Sequence, residues 1–254
     1  MGQRWPERLW IVRHGESAGN VARDAALSAG LARIDIAERD VDVPLSPLGE
    51  EQSQALARWF AGLGADRCPD VVLVSPYRRA RRTADLIRDG GGVEPARDGF
   101  VTDERLREKE FGILDGLTRH GITAQHPEQA EFRRILGKFY HRPPGGESWC
   151  DVILRLRSAL DTISLHYSGR RVLIVTHQVV VLCLRYLLEN LTEDEILTID
   201  AAGDVANCSV TEYAFDPALG PNGGLGLVRY NMTAPVAQAG TPVTAEPDAP
   251  VAAR

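Results

Sequence analysis

The chain of 254 residues lacks several features that would place it in a class at once. No apolar run approaches the roughly 20 residues that a membrane-spanning helix needs. Positive charge is not in excess: 29 Lys and Arg stand against 35 Asp and Glu, a formal net charge of −6. A general nucleic-acid or membrane-surface binder would carry a broad basic face, so neither partner is expected. Cysteine is scarce, four in all, and no two form a C-x-x-C pair. Three lie in apolar or mixed runs, the ordinary place of a small buried thiol. A disulfide framework is therefore not expected, and a reduced, cytoplasmic location is. The first residues, Met1-Gly2-Gln3-Arg4-Trp5-Pro6, hold no apolar signal core, and Pro6 stands where a myristoylation motif needs Ser or Thr. No internal repeat is visible. No pair of ligating residues has helical or C-x-x-C spacing, so no metal and no cofactor is expected.

What is present reads as α/β. Short apolar, β-branched runs at 9–12, 71–74 and 172–175 predict buried strands, with a weaker one at 100–102 and two last ones at 209–215 and 225–231. Helical spacing covers 17–29, 48–63 and 77–88, one or two helices within 118–142, a long amphipathic helix opened by Ser148, and another after His177. Residues 40–47 read as loop. Strands alternating with helices predict a mostly parallel sheet covered on both faces, a three-layer αβα sandwich. From 233 the composition changes to Ala, Pro, Thr and Val without aromatic anchors. The expectation is one domain over 1–232, with 118–142 as a helical insert, and a disordered tail over 233–254.

In such a sheet the ligand site lies beyond the carboxyl ends of the strands. His14, Ser75 and His177 all stand there. The rim thereby gathers two histidines with Arg13 and the Arg78-Arg79 pair, a cationic setting whose guanidiniums suit phosphate oxygens. Helices starting just after Gly15, Ser75 and His177 would aim backbone N–H groups at the same place. Most of the cluster Arg78, Arg79, Arg81 and Arg82 reads as a solvated helix face, as does the charged run 104–110. His120, His126, His141 and His166 read as surface residues. The basic run Arg133, Arg134, Lys138, His141 and Arg142 reads first as a solvated helix face and second as a reader of another anionic group on the substrate. A different chemistry is spelled by Gly15-Glu16-Ser17-Ala18-Gly19, a G-x-S-x-G string in which Ser17 would be an esterase nucleophile and His177 its base. The nucleophile elbow normally follows several strands, whereas this string ends the first.

Five segments resemble one family in order. Arg13-His14-Gly15-Glu16-Ser17 with Asn20, Ser75-Pro76-Tyr77-Arg78-Arg79-Ala80 with Thr83-Ala84, Leu106-Arg107-Glu108-Lys109-Glu110-Phe111-Gly112, Pro144-Gly145-Gly146-Glu147-Ser148 and Val175-Thr176-His177 are similar to the motifs of the histidine phosphatase (phosphoglycerate-mutase-like) superfamily. The resemblance implies that family's αβα fold and a metal-independent phosphomonoester hydrolase acting on a small phosphorylated substrate; a homodimer is left open. It implies His14 as the nucleophile that becomes phosphohistidine, Glu108 as proton donor, and His177 as the second catalytic histidine. Arg13, Asn20 and Arg79 would bind phosphate, and Gln178 and Glu147 are candidate pocket residues, with a supporting or helix-start role as the alternative for Glu147. To donate a proton Glu108 must start protonated, through burial or a neighbouring carboxylate such as Glu110. Many members carry Gly where this chain has Gln178, a feature closer to the fructose-2,6-bisphosphatase branch. The mutase branch carries F-T-G-W soon after its first motif, and residues 21–45 hold nothing similar, so mutase activity is the second reading.

Overall fold

The computed structural model describes residues 3–64, 67–93 and 100–245. Its strands are β1 (Arg8–Arg13), β2 (Val71–Val74), β3 (Phe100–Thr102), β4 (Arg171–Thr176), β5 (Val210–Asp216) and β6 (Gly224–Met232). They form one sheet in the order β3-β2-β4-β1-β5-β6. The first four strands in sequence run parallel, and β5 pairs antiparallel with both β1 and β6. The expected mostly parallel sheet is present.

The apolar runs are continuous because both faces of the sheet are covered. Leu9, Ile11, Val71, Leu73, Val172 and Ile174 enter one core, with residues of α6 (Trp149–His166), α7 (Gln178–Leu188) and α8 (Glu193–Ala202). Their neighbours Trp10, Val12, Val72, Val74, Leu173 and Val175 enter the other, against Leu56 and Phe60 of α2 (Pro47–Ala61) and Ala80, Ala84 and Ile87 of α3 (Arg78–Asp89). Each fully buried aliphatic side chain contributes on the order of 1.5–3 kcal/mol, so this double core holds the strand ends in place.

The insert resolves into two helices, α4 (Arg119–Gln125) and α5 (Pro127–Tyr140), the latter broken at Gly137, whose φ is +76°. Helix α8 lies where the sequence suggested no element; only Ile196 of it is buried, so its apolar signal is weak. The tail expectation needs correction. Residues 233–245 pack on the domain: α9 (Ala234–Gln238) buries Pro235 and Val236, the latter in the core beside α2. One apolar residue fitted into an existing core replaces the aromatic anchors that the composition lacks. Residues 246–254 lie outside the described residues. All four cysteines are free, and among the described residues no helix is long and apolar enough to cross a membrane.

Candidate active site

Parallel pairing in register sets Arg13 beside Thr176, so the chain leaves β1 and β4 at the same level. His14 N donates to Thr176 O at 2.9 Å, and the His14 and His177 rings meet edge-on with centroids 5.0 Å apart. Next door, Ser75 leaves β2 with its N–H on Val175 O at 3.1 Å, and its hydroxyl lies 2.7 Å from His177 Nε2. His177 Nδ1 is buried without a hydrogen-bond partner among the described residues. Helices α3 and α7 begin at this rim without side-chain caps. By contrast α1 (Ala18–Ser28) starts under a capping box of Ser17 and Asn20.

Two contacts fix the state of His14. Its Nδ1 donates to Gly15 O at 2.7 Å, and its Nε2 accepts from Arg79 Nε at 3.1 Å. The ring is therefore the Nδ1–H tautomer, with the Nε2 lone pair turned toward Arg79. Burial, then the Arg79 and Arg13 guanidiniums, hold its pKa well below the ordinary value, so the ring stays neutral. Burial and Arg79 do the same to His177.

A cavity of about 190 Å³ opens beside these residues, and its lining includes Arg13, His14, Asn20, Arg79, Glu108 and Gln178. Six of the eight residues named from sequence thus meet around one space. Of the arginine cluster only Arg79 is buried, while Arg78, Arg81 and Arg82 are exposed. Arg79 also donates to Asp40 O at 2.6 Å, and its Nη1 pairs with Asp40 Oδ1 at 3.0 Å. Asp40 carried no sequence signal; it sits on a short 3-10 turn at Asp40–Asp42 within the expected loop. Arg13 donates to Val205 O and to Gln178 Oε1, and Gln178 Nε2 donates to Asp204 at 2.9 Å. Gln178 thus steers Arg13. Asn20 turns its Oδ1 to the backbone N–H and hydroxyl of Ser17, so only its amide nitrogen could donate to an anion.

Glu108 is half-buried, and burial pushes its pKa up to about 7, with Asp40 adding and Arg79 opposing. Glu110, expected to share this task, instead accepts from Tyr77 Oη at 2.9 Å. Glu147 needs a second correction: it does not line the cavity. Its carboxylate accepts from Arg155 at 2.9 Å, Arg107 at 2.8 Å and Glu110 N at 3.1 Å. Arg155 in turn donates to the carbonyls of Arg105 and Glu108. Glu147 and Arg155 therefore clamp the loop that carries Glu108. His177, fully buried beside His14, is likewise absent from the lining. His141 is buried rather than exposed, with Nε2 3.3 Å from Gln129 Oε1.

Close approach explains two glycines of the motifs. A Cβ on Gly15 would stand 2.5 Å from Gly49 O, and one on Gly112, at φ +56°, would stand 2.2 Å from Pro144 O. The G-x-S-x-G reading loses its chemistry, because the Ser17 hydroxyl caps α1 while His177 bonds Ser75.

The family model described as histidine phosphatase superfamily (branch 1) matches residues 9–220. A "Probable phosphoglycerate mutase GpmB" of Yersinia enterocolitica is 30% identical over 179 residues, covering 70% of this chain and 72% of the relative. Its namesake from Serratia proteamaculans is 32% identical over 177 residues, with the same coverage. Among solved structures, the mycobacterial glucosyl-3-phosphoglycerate phosphatase complexed with VO3 superimposes with a TM-score of 0.66 at 26% identity, over 89% of this chain and 99% of that one. Bacillus stearothermophilus YhfR gives 0.68 at 25% identity, over 89% and 96%.

Proposed function

We propose that this chain, which belongs to the histidine phosphatase superfamily (branch 1), hydrolyses phosphomonoesters through a phosphohistidine on His14. The observation that carries the reading is the His14 ring itself: neutral, fixed as the Nδ1–H tautomer, with its Nε2 lone pair beside a buried guanidinium. In-line attack of Nε2 on phosphorus breaks the ester P–O bond and forms a P–N bond. Protonated Glu108 gives its proton to the leaving alkoxide, then as carboxylate takes one from the water that cleaves the P–N bond. Arg13 and Arg79 supply positive charge to the equatorial oxygens, and the unpartnered His177 Nδ1 is the kind of buried polar atom that a phosphoryl oxygen satisfies. The incoming group competes with the Asp40 carboxylate for Arg79. Arginines and helix starts supply the charge in this scheme, so it needs no metal.

A screen over phosphomonoesters tests the proposal, with His14→Ala as control. Wild-type turnover with an acid-labile phosphoenzyme, both abolished in the variant, is the expected result. Retained turnover in His14→Ala overturns it. The mutase names of the curated relatives favour a second reading, phosphoryl transfer between the two positions of phosphoglycerate. It requires stimulation by the bisphosphate, which simple hydrolysis does not.

A further inference from the structure

Where the proposed reaction puts a phosphoryl group, the cavity already holds an anion, the carboxylate of Asp40. It engages all three nitrogens of the Arg79 guanidinium together with His14. Nε donates to His14 Nε2 at 3.1 Å, and Nη1 donates to Asp40 O at 2.6 Å and stands 3.0 Å from Asp40 Oδ1. Nη2 donates to Asp40 Oδ2 at 3.3 Å. A carboxylate seated on an arginine fork uses the donors that a phosphoryl group would use. Arg79 Nε also lies on the His14 Nε2 lone pair, so the guanidinium covers the direction from which phosphorus must approach. The charge of Asp40 reaches further: beside burial, it adds to the upward pKa shifts of Glu108 and Asp115.

The segment that carries Asp40 is loosely held. Ile34, Ile36, Glu38 and Asp40 line the cavity at alternate positions, whereas Asp35, Ala37 and Arg39 are exposed and outside the lining. That is the period of an extended chain. Its ends are tied, with Ile34 N on Gly116 O and Ala18 N on Pro44 O, both at 3.0 Å. Among the described residues no backbone hydrogen bond is made by 35–38, and the 3-10 turn that follows has no side-chain cap. The Asp40 side chain is 42% exposed against 6% for Arg79. Its carboxylate can therefore turn into water while the guanidinium stays in place.

We infer that Asp40 is a resident competitor for the phosphate subsite, whose carboxylate a phosphoryl group must push off Arg79 to reach His14. This rests on the phosphatase reading and adds to it a residue that sets the affinity for substrate and product. Breaking the pair costs ground state and transition state alike. Asp40 thus raises KM and speeds the release of inorganic phosphate without entering the chemical step.

Titration calorimetry with inorganic phosphate, at fixed pH and salt, tests this. Asp40→Asn keeps the turn and its carbonyl but loses the charge, and should bind phosphate about tenfold more tightly than wild type. With p-nitrophenyl phosphate, whose leaving group needs no proton from Glu108, its KM should fall by a similar factor and kcat should stay within about threefold. Asp42→Asn, on the same turn but exposed and outside the lining, removes an equal charge and should keep wild-type values. Phosphate binding that is unchanged or weaker in Asp40→Asn overturns the inference, because Asp40 then orients Arg79 instead of competing for it. An equal gain in Asp42→Asn also overturns it, by making the effect one of general charge. Turnover of the ester by His14→Ala overturns the phosphatase reading, a separate outcome because the calorimetry involves no turnover.

Discussion

At the scale of single residues the site divides labour through pKa. His14 is held neutral by burial and two guanidiniums, whereas Glu108 is held protonated up to about 7 by burial. The proposed first step needs both states at once. For an alkyl ester kcat/KM should therefore fall as pH rises above about 7, whereas an aryl ester, whose leaving group needs no proton, should follow a flatter profile. Glu108→Gln should cost about 10²–10⁴-fold on the alkyl ester and much less on the aryl one; equal losses would remove Glu108 as proton donor. The same shift has a consequence for stability. A carboxyl whose pKa rises from 4.5 to about 7 on folding contributes stability below the lower value and loses it as pH climbs through the higher. Glu108→Gln lacks that loss, so its melting temperature relative to wild type should increase between about pH 5 and about pH 8, as scanning calorimetry would record.

Between elements, segments outside the five motifs hold the loop that carries His14. Asn207 Nδ2 donates to His14 O at 3.1 Å, and Gln52 Oε1 accepts from Glu16 N at 2.9 Å. Both amides, fully buried, meet at Thr244: its hydroxyl donates to Asn207 Oδ1 and accepts from Gln52 Nε2. The segment after α9, beyond the residues that match the family model, thus holds the carbonyl of His14, the proposed nucleophile, through Asn207. Thr244→Val should lower kcat by about tenfold with little change in KM, since a small displacement of a nucleophile is costly. Thr244→Ser should restore it; equal activity in all three proteins would show that the contact does not position His14. Gly112 ties a second pair of loops, where Cβ would strike the Pro144 carbonyl. Gly112→Ala should lose about 2 kcal/mol or more in urea denaturation and should loosen Glu108 with it.

For the whole molecule, the sheet acts as a rigid frame that collects cations at one rim of a chain whose net charge is −6. Charge of the required sign is local, supplied by Arg13 and Arg79, whatever the overall balance. An oxyanion that binds the folded state alone raises stability by mass action. Inorganic phosphate or vanadate should therefore raise the melting temperature of the wild-type protein in a concentration-dependent way. Arg79→Ala should abolish the shift; a shift of equal size in that variant would place the anion elsewhere.

Much of this frame was written along the chain. The β-branched runs at 71–74 and 172–175 could only be buried strands, and the order of the five motifs brought His14, Arg79 and Glu108 to one rim. Such signals are local: alternation, spacing and short strings survive without knowledge of the rest of the molecule. Tertiary structure alone decided that Asp40 engages Arg79, that Glu147 clamps a loop instead of lining the cavity, and that His141 faces inward. It also packed Val236 and Thr244 onto the domain. Each of these depends on groups that meet across dozens of residues or more, or on the orientation of one helix face. Burial and long-range pairing set charge states and contacts, and neither leaves a period in the sequence.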